Sequence, residues 1–199
     1  MAITPNVTQI RRIHAGCDTL QLRTARLELI AASSQLADLE WRDVTSLARE
    51  LTCAPPESWP PPLNDEDSQR WFREMLQQHP DAVGWGLWYL VRNERGKGRV
   101  LIGNAGFKGQ AANGGCEIGY SLLSVYEGFG YATEAARALI SWAFQHPAVY
   151  RVSAETLPEL ARSIRVIEKC GMRHIGAGKP EEGHATLRFE LTREAYRLL

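Results

Sequence analysis

Apolar and polar residues alternate twice between Leu20 and Ala31, in Leu-Gln-Leu-Arg and in Arg-Leu-Glu-Leu-Ile, the period of a strand with one buried face. The spacing then lengthens. Leu36, Leu39, Val44, Leu47 and Leu51 recur at helical intervals behind Ser33 or Ser34 as N-cap, which predicts a helix through this stretch. Cys53 to Leu63 holds five prolines, each without a backbone donor, and predicts a non-helical connection. Asn64 or Asp65 caps a second helix ending near Gln78, with Trp71, Phe72, Met75 and Leu76 as its apolar stripe. From Gly84 the spacing returns to that of sheet: Trp85 to Val91, a turn at Asn93 to Gly98, Val100 to Lys108, a turn at Asn113-Gly114-Gly115, and Cys116 to Leu123. A Gly-rich loop leads into a helix from Ala132 to Gln145, then come a strand from Tyr150 to Thr156 and a helix from Glu159 to Lys169 ended by Gly171. Met172 to Ala177 and Ala185 to Leu191 close the chain as a hairpin.

This order of elements predicts an α/β (α+β) fold with a mixed, mostly antiparallel central sheet and helices on both faces. At 199 residues and 44% hydrophobic content, the chain has material for one domain spanning 1–199, with residues 1–16 expected as a loosely ordered leader. Its 23 basic and 23 acidic residues balance to a formal net charge of +0, so no overall field draws nucleic acid or an anionic membrane. No stretch is apolar for long enough to span a bilayer, and the N-terminus lacks the layout of a secretion signal. Cys17, Cys53, Cys116 and Cys170 form no C-x-x-C pair, so reduced thiols in a cytoplasmic protein with no metal are expected.

Glu127-Gly128-Phe129-Gly130-Tyr131-Ala132 lies between a strand and an apolar-periodic helix, where it suits either an anion cradle of unpaired N–H groups at the positive dipole end or a tight strand-to-helix turn that needs glycine for geometry alone. Glycines at 128 and 130 permit positive φ and close approach of a bulky phosphate. No Gly-Lys-Ser or Gly-Lys-Thr follows, and the G-x-G-x-x-G spacing is absent, which excludes a nucleotide P-loop and a dinucleotide fingerprint.

The loop resembles the acyl-CoA loop of GNAT acetyltransferases, with Glu127 where the family has Arg or Gln, then Gly130 and Ala132. Glu117-Ile118-Gly119-Tyr120, Gly130-Tyr131-Ala132-Thr133-Glu134-Ala135 and the run from Ser163 to Met172 each resemble segments of the ribosomal-protein (Rim-type) branch, in the family's order. The resemblance implies an acetyl-CoA-dependent N-acetyltransferase. Its acyl donor would lie against Leu122, Leu123, Glu127, Gly128, Phe129, Gly130, Tyr131, Ala132, Thr133 and Ser163. It also implies that the strand ending at Leu122 and Leu123 bulges and splays from its parallel neighbour, so that its N–H groups hold the pantetheine and polarise the thioester. In this sequence Leu160 replaces the Asn three residues before the motif serine, and Ile167 occupies the position where many relatives carry a general-acid Tyr.

Acetyl transfer to an amine needs a proton acceptor, and Glu117 and Glu155 stand on the strands expected to flank the cleft. Each has an alternative reading as a solvent-facing or ion-paired carboxylate, Glu155 with Arg151. Ser163 is a candidate to bond the CoA sulfur, and it equally suits a helix N-terminus. Trp59 and Tyr120 are candidates for the acceptor side. Asp65, Glu66 and Asp67 suit either attraction of a cationic amine or the first turn of a helix. The expected partner is a small-molecule or peptide amine, on a monomer or homodimer. The alternative is a catalytically weak acyl-CoA-binding or sensor protein.

Overall fold

The computed structural model describes residues 7–12, 18–62, 64–94, 96, 98–180 and 183–199. Its centre is a nine-stranded sheet: β1 (Val7–Arg12), β2 (Asp18–Arg23), β3 (Leu27–Ala31), β4 (Leu87–Glu94), β5 (Gly98–Phe107), β6 (Gly115–Leu122), β7 (Arg151–Thr156), β9 (Leu187–Thr192) and β8 (Arg173–Ala177), in that spatial order. All neighbours are antiparallel except β6 and β7. The expected α/β class, mixed sheet and helices on both faces are all present.

One face carries α1 (Ser34–Arg42), α2 (Val44–Glu50) and α3 (Glu66–Gln78), which bury Leu36, Leu47 and Leu76 against Ile30, Tyr89 and Leu101. The other carries α4 (Tyr131–Ala143) and α5 (Ala161–Lys169); Ala135, Leu139 and Ile167 pack there against Leu29, Trp88 and Ile118. Trp85 and Trp88 join Phe107, Trp142 and His146 in an aromatic cluster on this second face. A four-residue α6 (Arg193–Tyr196) follows β9.

Four boundaries differ from the pattern-based reading. The leader is not loose throughout, because Val7–Arg12 pairs with β2, extending the sheet edge; residues 1–6 and 13–17, including Cys17, lie outside the described residues. The alternation from Leu20 to Ala31 is two strands, β2 and β3, folded back through Thr24, Ala25 and Arg26, since a hairpin preserves period two on both arms. The helix expected from Leu36 to Leu51 breaks at Asp43, which closes α1 and caps α2 by accepting from Thr45 and Ser46 N–H at 3.0 and 2.9 Å. The closing hairpin forms, but its second strand β9 inserts between β7 and β8.

Candidate active site

Only Gly115, Cys116 and Glu117 of β6 pair with β7, in register with Arg151, Val152 and Ser153. Beyond that point β6 stays on β5 through Leu122, while β7 stays on β9 through Thr156. The two parallel strands therefore open into a wedge. Lys108 N–H donates to Glu117 O at 2.9 Å and Leu123 N–H to Ile102 O at 3.0 Å, so odd-numbered residues of β6 bond to β5. By antiparallel alternation the backbone groups of Ile118, Tyr120 and Leu122 point into the wedge. The expected splay is present; the expected bulge is not in β6, whose register on β5 is unbroken, but in β5 at Ile102 opposite β4. Gly103 follows that shift, and a Cβ there would sit 2.3 Å from Ser121 O and 2.9 Å from Leu122 Cα, so only glycine allows β6 to lie this close.

The wedge opens toward the loop before α4. Gly128 and Gly130 both have φ of +83°, a conformation that disfavours a Cβ. Gly130 is the N-cap of α4, with no side chain capping it, and the first helical bond runs from Glu134 N–H to Gly130 O at 3.0 Å. The N–H groups of Tyr131, Ala132 and Thr133 thus have no intrahelical acceptor, at the positive end of a 13-residue helix. The loop is braced from the β2–β3 turn: Arg26 Nη1 donates to Phe129 O at 2.9 Å, Arg26 Nε pairs with Glu134 at 2.6 Å, and Thr24 Oγ1 donates to Glu134 at 2.6 Å. Glu134, the acidic residue of the first turn, is thereby turned aside.

Across the wedge, α5 presents Ser163 to β6. The half-buried Tyr120 phenol donates to Ser163 O at 3.1 Å and lies 3.3 Å from Ser163 Oγ, stitching α5 over the gap. Burial also pushes the Tyr120 phenol well above its usual range, so it is a hydrogen-bond donor and not an acid at neutral pH. Ile167 is 2% exposed within the apolar core. Burial pushes the Cys170 thiol up to about 11 and the Cys116 thiol to about 12, which leaves neither a thiolate nucleophile. At the mouth of the wedge, Glu127 Oε2 pairs with Arg162 Nη1 at 2.5 Å, joining the loop to the first turn of α5.

Both candidate bases have cationic partners. Glu117 pairs with Lys108 at 2.6 Å where β6 and β7 begin to part. Glu155, on the diverging part of β7, pairs with Arg188 at 3.0 Å and accepts Lys179 N–H at 2.9 Å, with a side chain only 8% exposed. Its partner is Arg188 because the two lie in register on β7 and β9, whereas Arg151 lies near Glu190 at 3.8 Å.

The proline-rich connection after α2, residues 53–62, packs on the α1–α3 face as a strap. Trp59 Nε1 donates to Glu40 at 3.0 Å, Tyr89 O–H to the same carboxylate at 2.8 Å and Asn64 Nδ2 at 3.5 Å; the Ser121 hydroxyl donates to Pro62 O. Trp59 is therefore fixed beside a buried carboxylate, and the strap reaches Ser121 on the diverging part of β6. Asp65 caps α3 by accepting Ser68 N–H at 2.9 Å, and Glu66 and Asp67 pair with Arg70 at 3.3 and 2.8 Å, so this acidic group serves the helix.

Residues 31–173 match the sequence profile of the acetyltransferase (GNAT) domain. The chain belongs to this family. An uncharacterized N-acetyltransferase, YjdG of Bacillus subtilis (strain 168), is 29% identical over 153 residues, 75% of this chain and 88% of the relative. Among solved structures, the ribosomal-protein-S5-alanine acetyltransferase of Vibrio fischeri superposes with a TM-score of 0.61 at 16% identity, covering 89% of this chain and 98% of that one. RimL, a ribosomal L7/L12 α-N-protein acetyltransferase in complex with coenzyme A, gives 0.61 at 17% identity, covering 86% and 97%. At such identities the superpositions establish the fold.

The GNAT wedge thus gathers Leu122, Leu123, Tyr120, Ser163 and the loop from Glu127 to Thr133, with Glu117 and Glu155 on its two strands. Two cations escaped the sequence pattern. Arg26 was hidden in what reads as continuous strand, and Arg162 stands before the motif serine without a spacing of its own. Among the described residues no group of three or more His, Cys, Asp or Glu is arranged to hold a metal ion, and no helix is long and apolar enough to cross a membrane.

Proposed function

We propose that this GNAT acetyltransferase moves the acetyl group of acetyl-CoA to a primary amine, by direct attack in a ternary complex within the β6–β7 wedge. The observation that carries this reading is the wedge itself, with the backbone groups of Ile118, Tyr120 and Leu122 turned into it and the uncapped N-terminus of α4 at its mouth. The pyrophosphate would take the N–H groups of Tyr131, Ala132 and Thr133, while the pantetheine runs back along β6. One of the N–H groups of β6 would polarise the thioester carbonyl and hold the oxyanion as the amine attacks. The amine nitrogen forms a bond to the acetyl carbon, the carbon–sulfur bond breaks, and the amine proton passes through water to Glu117 or Glu155. Ser163 would donate toward the departing sulfur. A protein N-terminus, as the Rim-type resemblance implies, or a small amine would serve as acceptor. Calorimetric titration with acetyl-CoA tests the first step, and a folded protein with no binding at millimolar acetyl-CoA would contradict the reading.

The base is expected to show itself in paired variants. Glu117→Gln or Glu155→Gln should lower turnover by roughly 10²-fold with little change in acetyl-CoA affinity, and only one of them should do so. Full activity in both, at pH 7 and below, assigns the proton to solvent.

The Glu127–Arg162 pair decides what the loop's departure from the family pattern does to the cofactor. A lone carboxylate there would repel a pyrophosphate, but Arg162 already offsets it. Glu127→Gln should therefore change affinity by less than about threefold. Arg162→Ala, which uncovers the carboxylate, should weaken binding a few-fold at low salt and less at high salt. Equal affinity for wild type and Arg162→Ala at low salt would remove the pair from the binding site.

A further inference from the structure

Among the described residues, Asn104 is the one buried side chain on the strap-covered face that carries an unpaired amide donor. Its residue is 4% exposed, and its Nδ2 has no hydrogen-bond partner. Leaving a buried amide N–H unpaired is costly, so its neighbours indicate what it awaits. Asn104 lies in register with Tyr89 on β4 and Ser121 on β6, and cross-strand partners share a face. The row Tyr89–Asn104–Ser121 therefore lies under the strap, with Tyr89 and Trp59 bonded to Glu40 on one side and Ser121 holding Pro62 on the other. Ser121 immediately precedes Leu122, whose backbone points into the wedge. Tyr89 and Ser121 each bond groups on α1 or the strap, and Asn104 between them bonds none.

We infer that Asn104 is a specificity-determining residue of the acceptor subsite, donating to an oxygen of the incoming amine once the strap lifts from Ser121. This rests on the acetyl-transfer reading above. The chemical class follows from the free group: a primary amine bearing a carbonyl, carboxylate or hydroxyl oxygen, as opposed to an alkylamine or a polyamine. Asn104 stands on the strand next to β6, so the oxygen is separated from the nucleophilic nitrogen by a span on the order of one strand spacing, about 5 Å. The clasp between Ser121 and Pro62 is a single neutral hydrogen bond, light enough to exchange for contacts with the acceptor.

Two isosteric pairs of amines test this: alaninamide against 3-methylbutan-2-amine, and 4-aminobutanamide against 4-methylpentan-1-amine, assayed by CoA release with wild type and Asn104→Leu. The ratio of kcat/KM within each pair cancels differences in intrinsic amine reactivity when compared between the two proteins. In at least one pair this ratio should fall about tenfold in Asn104→Leu, chiefly through KM, because a site built to donate to an oxygen discriminates strongly against an analogue lacking it. Asn104→Leu should also melt no lower than wild type, since it removes an unpaired buried polar group. Ratios unchanged within twofold in both pairs overturn the inference, and so does a lowered melting temperature, which would mark Asn104 as structural. Wild-type protein that binds acetyl-CoA yet acetylates none of the four amines overturns the acceptor class. Failure to bind acetyl-CoA would instead overturn the acetyl-transfer reading.

Discussion

Gly130→Val is expected to weaken acetyl-CoA binding at least tenfold while leaving the domain folded. Gly130 sits at φ +83° and ψ 8°, and a β-branched residue there must either carry the strain of the left-handed region or rotate out of it. Crowding is not the cause, because a Cβ would meet only the Arg26 guanidinium, at 3.5 Å. Rotation would swing the N–H groups of Tyr131 and Ala132 off their common target, and a pyrophosphate held by several backbone donors loses them together. A cost of roughly 1–2 kcal/mol for the conformation alone corresponds to about a tenfold change in affinity, before any donor is lost. Gly130→Ala should fall between the two, and calorimetry alongside far-UV circular dichroism separates lost binding from lost fold. Unchanged affinity in folded Gly130→Val would show that the loop before α4 does not hold the cofactor.

The second large effect is on stability. Glu40 is 7% exposed, and its carboxylate takes the donors of Trp59, Tyr89 and Asn64, tying α1, the strap and β4 together. Glu40→Ala leaves those donors without an acceptor and should cost about 3 kcal/mol in urea unfolding. Glu40→Gln keeps an acceptor for Trp59, and Tyr89 still reaches Leu36 O at 3.3 Å, so it should cost about 1 kcal/mol or less at neutral pH. Burial raises the Glu40 carboxyl above its ordinary range, against the three hydrogen bonds that lower it. A carboxyl whose pKa is raised by folding contributes stability that is fully present below its unfolded pKa and is lost as pH rises through the folded value. Wild type should therefore gain on Glu40→Gln as pH falls from 7 toward the ordinary carboxylate range. A difference that is flat or reversed in sign would mean that the hydrogen bonds outweigh burial. Because Glu40 also holds Trp59, Glu40→Ala should raise KM for the amine more than it lowers kcat.

Local chemistry was legible where one residue decides one feature. Asp65 caps α3, Gly130 opens α4, Gly171 ends α5, and the two-residue alternation marks β4 to β6. Pattern fails where two elements share a period. Leu20 to Ala31 reads the same as one strand or as a hairpin, and the helical spacing from Leu36 to Leu51 runs on through a break that a single aspartate imposes. Side-chain pairing was the least legible level. Arg188 is 33 residues from Glu155 and meets it only because β9 inserts beside β7, and Arg162 reaches Glu127 only once α5 folds over the wedge. Ile167 turns into the apolar core, which explains why an aliphatic residue is stable at that position.

Release of free CoA from acetyl-CoA, followed as thiol against amine concentration with the purified protein, tests the central claim most directly. Catalysis in the wedge predicts release that requires an amine, saturates in both reactants and disappears in Gly130→Val at limiting acetyl-CoA. Tight binding of acetyl-CoA with no amine-dependent release, across peptide and small-molecule amines, would contradict it and leave a protein that holds the thioester without transferring it.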